Sequence, residues 1–313
     1  MSEQHVVLGK GQVGSLLAKL LVEHGHKVRV LSRSGGPDTD GIKHVAVDAG
    51  DADALTRASD GADVFYNCAN PAGYHLWLDQ WPPMSAAILA ACKATGAGLV
   101  TLGNLYVYGE VDTPMTEDNP LAATGIKGRL RADMWREALE LHEAGSIRMT
   151  EARASDYYGP GALRDAVMGD RVVPHVIAGK PGMTIGDPHA PHSWTYLPDV
   201  ARTLARLGSD DRSWGKAWHV PTAPARSQRE MARIFAEIAG APPARARHVP
   251  WWMLIRVIGM REPAMRGFTE TRHQWDKPYV IDSSRYTAVF GDEPTPVVDA
   301  VAETIAWWRS RRS

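Results

Sequence analysis

The chain has 313 residues, of which 44% are hydrophobic and 23% charged, which is the composition of one large globular unit or of two lobes around a shared core. Its formal net charge of -1, without a basic stripe, excludes an electrostatic surface for nucleic acid or an anionic membrane. No apolar run reaches the roughly 18 residues of a spanning helix and no signal-peptide pattern opens the chain, so we expect a cytoplasmic protein.

The first thirty residues predict a strand, a glycine-rich turn and a helix. A short apolar run at 5–8 precedes a Gly-x-Gly-x-x-Gly segment at 9–14, residues 15–24 have helical apolar spacing, and a second strand is predicted at 27–31. Such glycines permit a tight turn, close packing of helix on strand, and approach of the backbone to a pyrophosphate. The alternative is a tight turn without a ligand. The candidate pyrophosphate ligands are Gly9, Lys10, Gly11, Gln12, Val13 and Gly14.

The residues at the end of the second strand bear on whether the cofactor is NAD(H) or NADP(H). An NAD enzyme usually places an acid there to hold the ribose 2′-hydroxyl, whereas this chain has Ser32 and Arg33. With Lys10 in the glycine turn, Arg33 suits a 2′-phosphate, so we expect NADP(H) to be preferred over NAD(H). A solvated basic loop is the alternative. Asp48, after a third strand at 43–47, is either a neighbour of the adenine or an ordinary loop acid.

Strand and helix patterns then alternate, which indicates an α/β fold with a doubly wound parallel sheet. Further strands are predicted at 64–68, 99–102, 148–154 and 217–220, and helices at 84–95, 128–144 and 199–207. After Pro221 the residues Pro, Arg and Trp become frequent, and a helix at 227–239 opens what we interpret as a smaller C-terminal substrate lobe. The predicted domains are 1–160 with 197–222 for dinucleotide binding, and 161–196 with 223–313 for substrate binding.

The two cysteines, Cys68 and Cys92, lie far apart in apolar segments. They lack the spacing of metal ligands, so we interpret both as core residues and predict no metal site.

Four separated segments carry a shared pattern. They are the glycine turn at 9–14, Val-Tyr-Gly at 107–109, Arg-Ala-Ser-Asp-Tyr-Tyr-Gly-Pro-Gly at 153–161, and His-Ser-Trp-Thr-Tyr-Leu-Pro-Asp-Val at 192–200. In this order the chain resembles an extended short-chain dehydrogenase/reductase of the NAD-dependent epimerase/dehydratase family. The resemblance implies a Rossmann fold, an oxidoreductase with a small-molecule substrate, and a homodimer formed through the helices at 84–95 and 128–144.

The catalytic positions of that family are altered in this chain. The family pattern implies a serine or threonine three residues before the valine of Val-Tyr-Gly, where this sequence has Asn104. It also implies a later Tyr-x-x-x-Lys pair, in which the lysine lowers the pKa of the tyrosine that transfers the proton. The best placement puts Gly125 and Arg129 at these positions. A slip of one or two residues would offer Lys127, but 113–127 contains no tyrosine.

Asn104 and Tyr106 are the candidates to replace the missing groups. If the fifth strand continues through them, their side chains lie on one face, toward the nicotinamide. Asn104 would then donate a hydrogen bond to a developing oxyanion, and Tyr106 beside Lys127 or Arg129 would supply a proton. The alternative for Tyr106 is a packing role.

The loop after the fourth strand leaves the sheet at the edge where open α/β folds bind ligands. It contains Asn70, a candidate cofactor ligand, followed by Tyr74 and His75, which are secondary candidates for acid/base and substrate contacts. A solvated loop histidine is the alternative for His75.

Two further departures concern the substrate. By resemblance, Asp156 falls where sugar-nucleotide epimerases have asparagine near the diphosphate, and His192 falls where they have arginine. A carboxylate repels phosphate oxygens, and an imidazole lacks the bidentate charge of arginine. With Tyr157 and Trp194, these residues favour a non-nucleotide, apolar or aromatic substrate; packing of the lobe is the alternative for most of the tryptophans.

The leading hypothesis is an atypical NADP(H)-dependent oxidoreductase, either a reductase or an epimerase, acting on a carbonyl or an activated double bond. One alternative is a non-redox enzyme on the same scaffold, such as a cyclase, isomerase or dehydratase. The other is a nucleotide-sensing binding protein without turnover. The intact glycine turn argues against loss of the cofactor, whereas the altered acid/base positions argue against ordinary alcohol oxidation.

Overall fold

A computed structural model describes residues 2–163, 166–261 and 267–311 of the chain. The first elements are β1 (Gln4–Leu8), α1 (Gln12–Glu23), β2 (Lys27–Ser32), β3 (Ile42–Ala46), α2 (Ala52–Ala58), β4 (Val64–Asn67), α3 (Trp77–Thr95), β5 (Gly98–Asn104), α4 (Ile126–Glu143) and β6 (Met149–Ala154). They are followed by β7 (Asp156–Tyr158), α5 (Val173–Val176), β8 (Gly182–Thr184), β9 (Trp194–Tyr196), α6 (Leu197–Ser209), β10 (Ala217–His219), α7 (Gln228–Ala239), β11 (Ala246–His248), a π-helical segment (Met253–Ile258), α8 (Gly259–Arg261), α9 (His273–Asp276), α10 (Ser284–Phe290) and α11 (Val297–Ser310).

Seven strands form one sheet in the order β10-β6-β5-β4-β1-β2-β3. Five neighbouring strands of this sheet, β3, β2, β1, β4 and β5, pair in parallel. Leu8 of β1 lies opposite Leu31 of β2 on one side and opposite Asn67 of β4 on the other. The strand order therefore reverses direction between β1 and β4. This confirms the doubly wound α/β fold predicted from the sequence, in which ligands bind outside the carboxyl ends of the strands at the reversal.

Burial along the strands follows their place in the sheet. Every residue of β4 and of β6 is buried, whereas the edge strand β3 has only half-buried and exposed residues. Inner strands of a parallel sheet are covered by helices on both faces, and for that reason all of their residues are buried. No helix within the described ranges is long and apolar enough to cross a bilayer.

Helices α1 and α3 begin three or more residues earlier than the sequence predicts. Helix α1 begins at Gln12 because Gly11, in extended backbone, serves as its N-cap. Helix α3 begins at Trp77 rather than near Met84, although it contains Pro82 and Pro83. A proline leaves the carbonyl four residues earlier without its helical partner. Here those carbonyls belong to exposed residues near the start of the helix, where water can bond to them.

The chain divides into two compact units. One comprises 1–107, 127–153 and 200–218 and contains the main sheet; the other comprises 108–126, 154–199 and 219–313. The second unit includes the two-stranded sheets β7–β9 and β8–β11. It also includes the predicted helix at 227–239, observed as α7, whose N-cap Ser227 forms a capping box with Glu230. The assignment of cofactor and substrate roles to separate domains stays a prediction.

Candidate active site

The glycine turn connects the carboxyl end of β1 to the start of α1. Gly9 has a φ of +105°, and a Cβ there would lie 2.9 Å from the carbonyl oxygen of Cys68. A Cβ on Gly14 would lie 1.9 Å from the carbonyl oxygen of Gly9. A Cβ on Gly11, in contrast, would meet no atom within 4 Å. Gly9 and Gly14 are thus required by the fold, whereas Gly11 keeps a space open beside the turn.

That space adjoins the uncapped amino terminus of α1. Gly11 provides no side-chain cap, so the first N–H groups of the helix, beginning with Gln12 and Val13, are not bonded by a capping side chain. Such N–H groups and the helix dipole attract an anion. The residues at this turn therefore fit the pyrophosphate of a dinucleotide.

The polar residues around the end of β2 differ in their surroundings. Arg33 is exposed, and its guanidinium has no partner among the described residues. Lys10 instead reaches across the loop, where its Nζ donates to the carbonyl oxygen of Gly35 at 2.8 Å. Ser32 is the last residue of β2. Asp48 is exposed and its Oδ1 accepts the N–H of Gly50 at 2.9 Å, so this carboxylate caps its own turn.

Two tyrosines meet beyond the carboxyl ends of β4 and β5. Tyr74 lies in a 3-10 turn before α3, and Tyr106 lies in another directly after β5. Their hydroxyl oxygens are 2.8 Å apart, within hydrogen-bonding distance. Lys127, which is only 4% exposed, places its Nζ 4.0 Å from the centre of the Tyr74 ring. The structure thus combines two phenols and one buried ammonium group. We refer to these three residues as the tyrosine–lysine cluster.

The expectation of an extended chain from Asn104 to Tyr106 is wrong. Strand β5 ends at Asn104, and residues 105–108 form a 3-10 turn. The Oδ1 of Asn104 accepts the backbone N–H of Tyr106 at 3.1 Å, because a short amide side chain competes well for a nearby backbone donor. Asn104 therefore holds the turn that carries Tyr106, and its Nδ2 is the group that can donate to a ligand.

The other candidates from the sequence have different environments. Arg129 is exposed, whereas Lys127 is buried, so the structure brings the lysine to the tyrosines. His75 is exposed and forms no hydrogen bond with the described residues, and its ring folds back against Gly73. Their catalytic roles stay predictions. At the position where the family pattern places tyrosine, a Cβ on Gly125 would lie 2.1 Å from the Oε1 of Glu270.

Arg131 is a residue that the sequence reasoning missed. It is 6% exposed, and its guanidinium carbon lies 4.1 Å from the ring centre of Trp81 and 5.1 Å from that of Trp77. Its Nη2 donates to the Oδ1 of Asn70 at 3.3 Å and so holds the loop between β4 and Tyr74. The sequence feature that could have identified Arg131 is its position four residues after Lys127, which places both side chains on the same face of α4.

In the second unit, His192 and Asp156 form a hydrogen-bonded pair. The Nε2 of His192 lies 2.9 Å from the Oδ2 of Asp156, and its Nδ1 lies 3.1 Å from the carbonyl oxygen of Gln274. Because that carbonyl only accepts, Nδ1 donates to it. Nε2 and Oδ2 then form a hydrogen bond only if one of these two atoms carries a further proton. The His192 ring stacks on Trp275 with ring centres 4.7 Å apart.

The two predicted aromatic substrate contacts are not equally accessible. Trp194 is 4% exposed, lies 4.4 Å from the ring centre of His192, and donates its indole N–H to the carbonyl oxygen of Arg226 at 2.8 Å. Tyr157 is half-buried. Trp194 is therefore part of the packed core of this unit, and a substrate contact from either residue stays a prediction.

Comparisons with known proteins identify relatives of this chain. Residues 6–218 match the model of the NAD dependent epimerase/dehydratase family, which confirms the resemblance found in the sequence. A dTDP-glucose 4,6-dehydratase from Actinoplanes sp. is 26% identical over 209 residues, covering 66% of this chain and 58% of that protein. A dTDP-4-dehydrorhamnose reductase from Mycolicibacterium smegmatis is 27% identical over 263 residues, covering 79% of this chain and 72% of that protein.

A solved structure gives the same fold. The dTDP-glucose 4,6-dehydratase of Bacillus anthracis in complex with NAD matches with a TM-score of 0.80 and 16% sequence identity, over 99% of this chain and 98% of that chain. At this identity the likeness establishes the fold alone.

Proposed function

Because the chain belongs to the NAD dependent epimerase/dehydratase family, we propose that it is an NADP(H)-dependent reductase or epimerase. Its substrate is a small organic molecule with a carbonyl or an activated double bond. The observation that carries this proposal is the tyrosine–lysine cluster, with hydroxyl oxygens 2.8 Å apart and a buried ammonium 4.0 Å from one ring centre.

In this proposal Tyr106 transfers the proton and the other groups stabilise the charge that remains. When the Tyr106 hydroxyl gives up its proton, the Tyr74 hydroxyl donates a hydrogen bond to the phenolate oxygen. The Lys127 ammonium offsets part of that negative charge through its contact with the Tyr74 ring. The Nδ2 of Asn104 donates to the substrate oxygen. A bound nicotinamide cofactor would supply or accept the hydride exchanged with the substrate.

The preference for NADP(H) rests on Arg33. This exposed guanidinium follows the last residue of β2, where an NAD enzyme usually has an acid, and it has no partner among the described residues that would compete for a phosphate. The remaining candidate cofactor contacts are Ser32, Asp48 and Asn70.

The preference for a substrate without a diphosphate rests on Asp156 and His192. Both ring nitrogens of His192 are already hydrogen-bonded within the protein, so this residue has no N–H left for a phosphate oxygen. The Asp156 carboxylate adds repulsion. An apolar or aromatic substrate needs no hydrogen bond from His192 and is not repelled by the Asp156 carboxylate. The curated relatives named above carry dTDP-sugar names, so this chain would differ from them in substrate.

The test is loss of NADPH absorbance with a panel of aromatic ketones, aldehydes and enones, followed by substitution in the cluster. We expect Tyr106→Phe to lower kcat by about 100-fold or more without changing the Kd for NADPH, because proton transfer contributes at least that much. Tyr74→Phe, which removes only the hydrogen bond to the phenolate, should lower kcat less.

Tyr286→Phe is the matched control, because Tyr286 also uses its hydroxyl, toward Asp292, but lies in the other unit. It should leave kcat unchanged. Full activity of Tyr106→Phe on a substrate that the native chain reduces would contradict the assigned role.

A non-redox isomerase or dehydratase is the second candidate, favoured by the proton held between Asp156 and His192. That reaction would convert substrate without a net change in NADPH absorbance and would be lost in Asp156→Asn. The same panel, analysed by chromatography as well as absorbance, separates the two candidates.

A further inference from the structure

Three side chains with metal-ligating atoms meet at the amino-terminal edge of the main sheet. Glu3 directly precedes β1, His5 is its second residue, and His26 directly precedes β2. Because β1 pairs in parallel with β2, with Gln4 opposite Lys27, the residue before β2 lies beside the start of β1. One ligand atom from each of the three lies within 4.8 Å of the others. The glycine turn lies at the opposite end of β1, after its last residue.

Two of the distances among these atoms are close to those of a tetrahedral metal site. Glu3 Oε2 lies 3.1 Å from His5 Nε2 and 3.9 Å from His26 Nδ1. A zinc ion bound at about 2.0–2.2 Å holds its ligand atoms about 3.3–3.6 Å apart. Small side-chain rotations of Glu3 and His26, which are 45% and 20% exposed, would bring all three atoms onto one ion.

One of these atoms is a buried polar group without a partner. His26 Nδ1 is shielded from solvent, and no described residue forms a hydrogen bond with it. A buried unsatisfied nitrogen is destabilising, and an ion bound to its lone pair would relieve that cost. This orphaned nitrogen, facing the Glu3 carboxylate, is an observation independent of the clustering itself.

The second ring nitrogen of His5 is hydrogen-bonded within the protein, as is common for histidines that bind a metal. Its Nδ1 lies 3.2 Å from the hydroxyl oxygen of Tyr66, which is fully buried. That hydroxyl occupies space that only a glycine leaves open, since a Cβ on Gly208 would lie 2.2 Å from it. When Nδ1 donates to the Tyr66 oxygen, the lone pair of Nε2 points toward Glu3.

The charge state of His5 also suits a metal ligand. Burial, together with the neighbouring His26, lowers the pKa of His5 to about 4, so the imidazole is neutral at neutral pH. An ion bound to Nε2 requires the one proton of the neutral imidazole to lie on Nδ1, where it is donated to the Tyr66 oxygen.

We propose that Glu3, His5 and His26 bind one divalent transition-metal ion of the zinc class at the junction of β1 and β2. Two imidazoles and one carboxylate favour zinc and its neighbours over magnesium and calcium, which prefer all-oxygen ligand sets. Water fills the fourth position, on the side where Glu3 is exposed. The ion ties the starts of the two strands together, so its effect is on stability.

The test is titration of the full chain, purified without a polyhistidine tag and freed of metal with a chelator. Co²⁺ is followed by its visible absorption and Zn²⁺ by calorimetry. We expect one ion per chain and a rise in Tm with Zn²⁺. His26→Ala and Glu3→Gln should each weaken Zn²⁺ binding more than about tenfold and remove the rise in Tm.

His24→Ala is the matched control, because His24 is exposed and only two residues away but is not one of the three clustered residues. It should bind Zn²⁺ as the native chain does. Circular dichroism and the Tm of the metal-free variants show that the fold is retained. Equal affinity of the native chain and His26→Ala, equal weakening by His24→Ala, or no binding of either ion would overturn the proposal.

Discussion

The hydroxyl groups of Tyr74 and Tyr106 share one hydrogen bond, in which one phenol donates to the other. In the proposed reaction, the same contact supports the phenolate that forms when Tyr106 gives up its proton. In that reaction the Tyr74 hydroxyl turns toward the phenolate oxygen, and the buried Lys127 ammonium offsets part of the charge. A single tyrosine at either position would lack this support.

Arg33 allows a prediction about the cofactor. Removing its guanidinium in Arg33→Ala should weaken NADPH binding roughly 10- to 100-fold, because a charge-assisted hydrogen bond contributes about 1.5–3 kcal/mol. Binding of NADH, which lacks the 2′-phosphate, should not change. Calorimetric titration with both nucleotides measures the two effects. Equal weakening of both would show that Arg33 does not contact the 2′-phosphate.

Asp156 allows a prediction about the substrate. With its carboxylate in place and His192 fully hydrogen-bonded, the chain should not bind dTDP or UDP in the micromolar range. Equilibrium dialysis with either nucleotide measures this. Asp156→Asn, which removes the negative charge, should bind them more tightly than the native chain. Tight binding of dTDP by the native chain would instead place it among nucleotide-sugar enzymes.

The sequence was sufficient to identify individual candidates but not their contacts. Asn104, Tyr106, Lys127 and Tyr74 were all identified by type and position. Their arrangement depends on a 3-10 turn after β5 and on the packing of α4 beneath the loop after β4. Neither follows from strand alternation, because the Asn104 side chain ends the strand by capping the next turn.

At the scale of elements, the turn between β1 and α1 gives a matched pair of substitutions. A Cβ in Gly14→Ala would lie 1.9 Å from the Gly9 carbonyl oxygen, so α1 must move away from β1. We expect a loss of roughly 3 kcal/mol in unfolding free energy, measured by urea denaturation. Gly11→Ala meets no atom within 4 Å, so its stability should be unchanged.

The same pair distinguishes a binding role from a folding role. Because its new methyl group occupies the open space at the turn, Gly11→Ala should weaken all dinucleotides to a similar extent. Unchanged nucleotide affinity in Gly11→Ala would mean that the pyrophosphate lies elsewhere.

Several elements with clear apolar periodicity were predictable, whereas four of the short strands were not. Strands β1, β2 and β4 and helix α7 have clear apolar periodicity over several residues, and each was found close to its predicted place. Strands β7, β8, β9 and β11 have three residues each, too few for alternation to be recognised. Helix α3 extends further than predicted because the carbonyls that Pro82 and Pro83 leave without a helical partner belong to exposed residues, where water can bond to them.

At the scale of the whole molecule, the sheet order brings the ends of β1, β4 and β5 to one edge. The glycine turn, Asn70, Tyr74 and Tyr106 follow these strands, which explains how residues far apart in sequence belong to one region of the first unit. The metal-ligating residues lie at the opposite edge because they precede β1 and β2. Homodimerisation through α3 and α4 stays a prediction.

The central claim is that this chain is a dinucleotide-dependent enzyme with a preference for NADP(H). It is tested most directly by calorimetric titration of the purified chain, stripped of bound nucleotide, with NADPH, NADP⁺, NADH and NAD⁺ in parallel. We predict tight binding of NADPH and NADP⁺ and binding of NADH and NAD⁺ that is weaker by roughly 10- to 100-fold. Absence of binding for all four nucleotides would contradict the account.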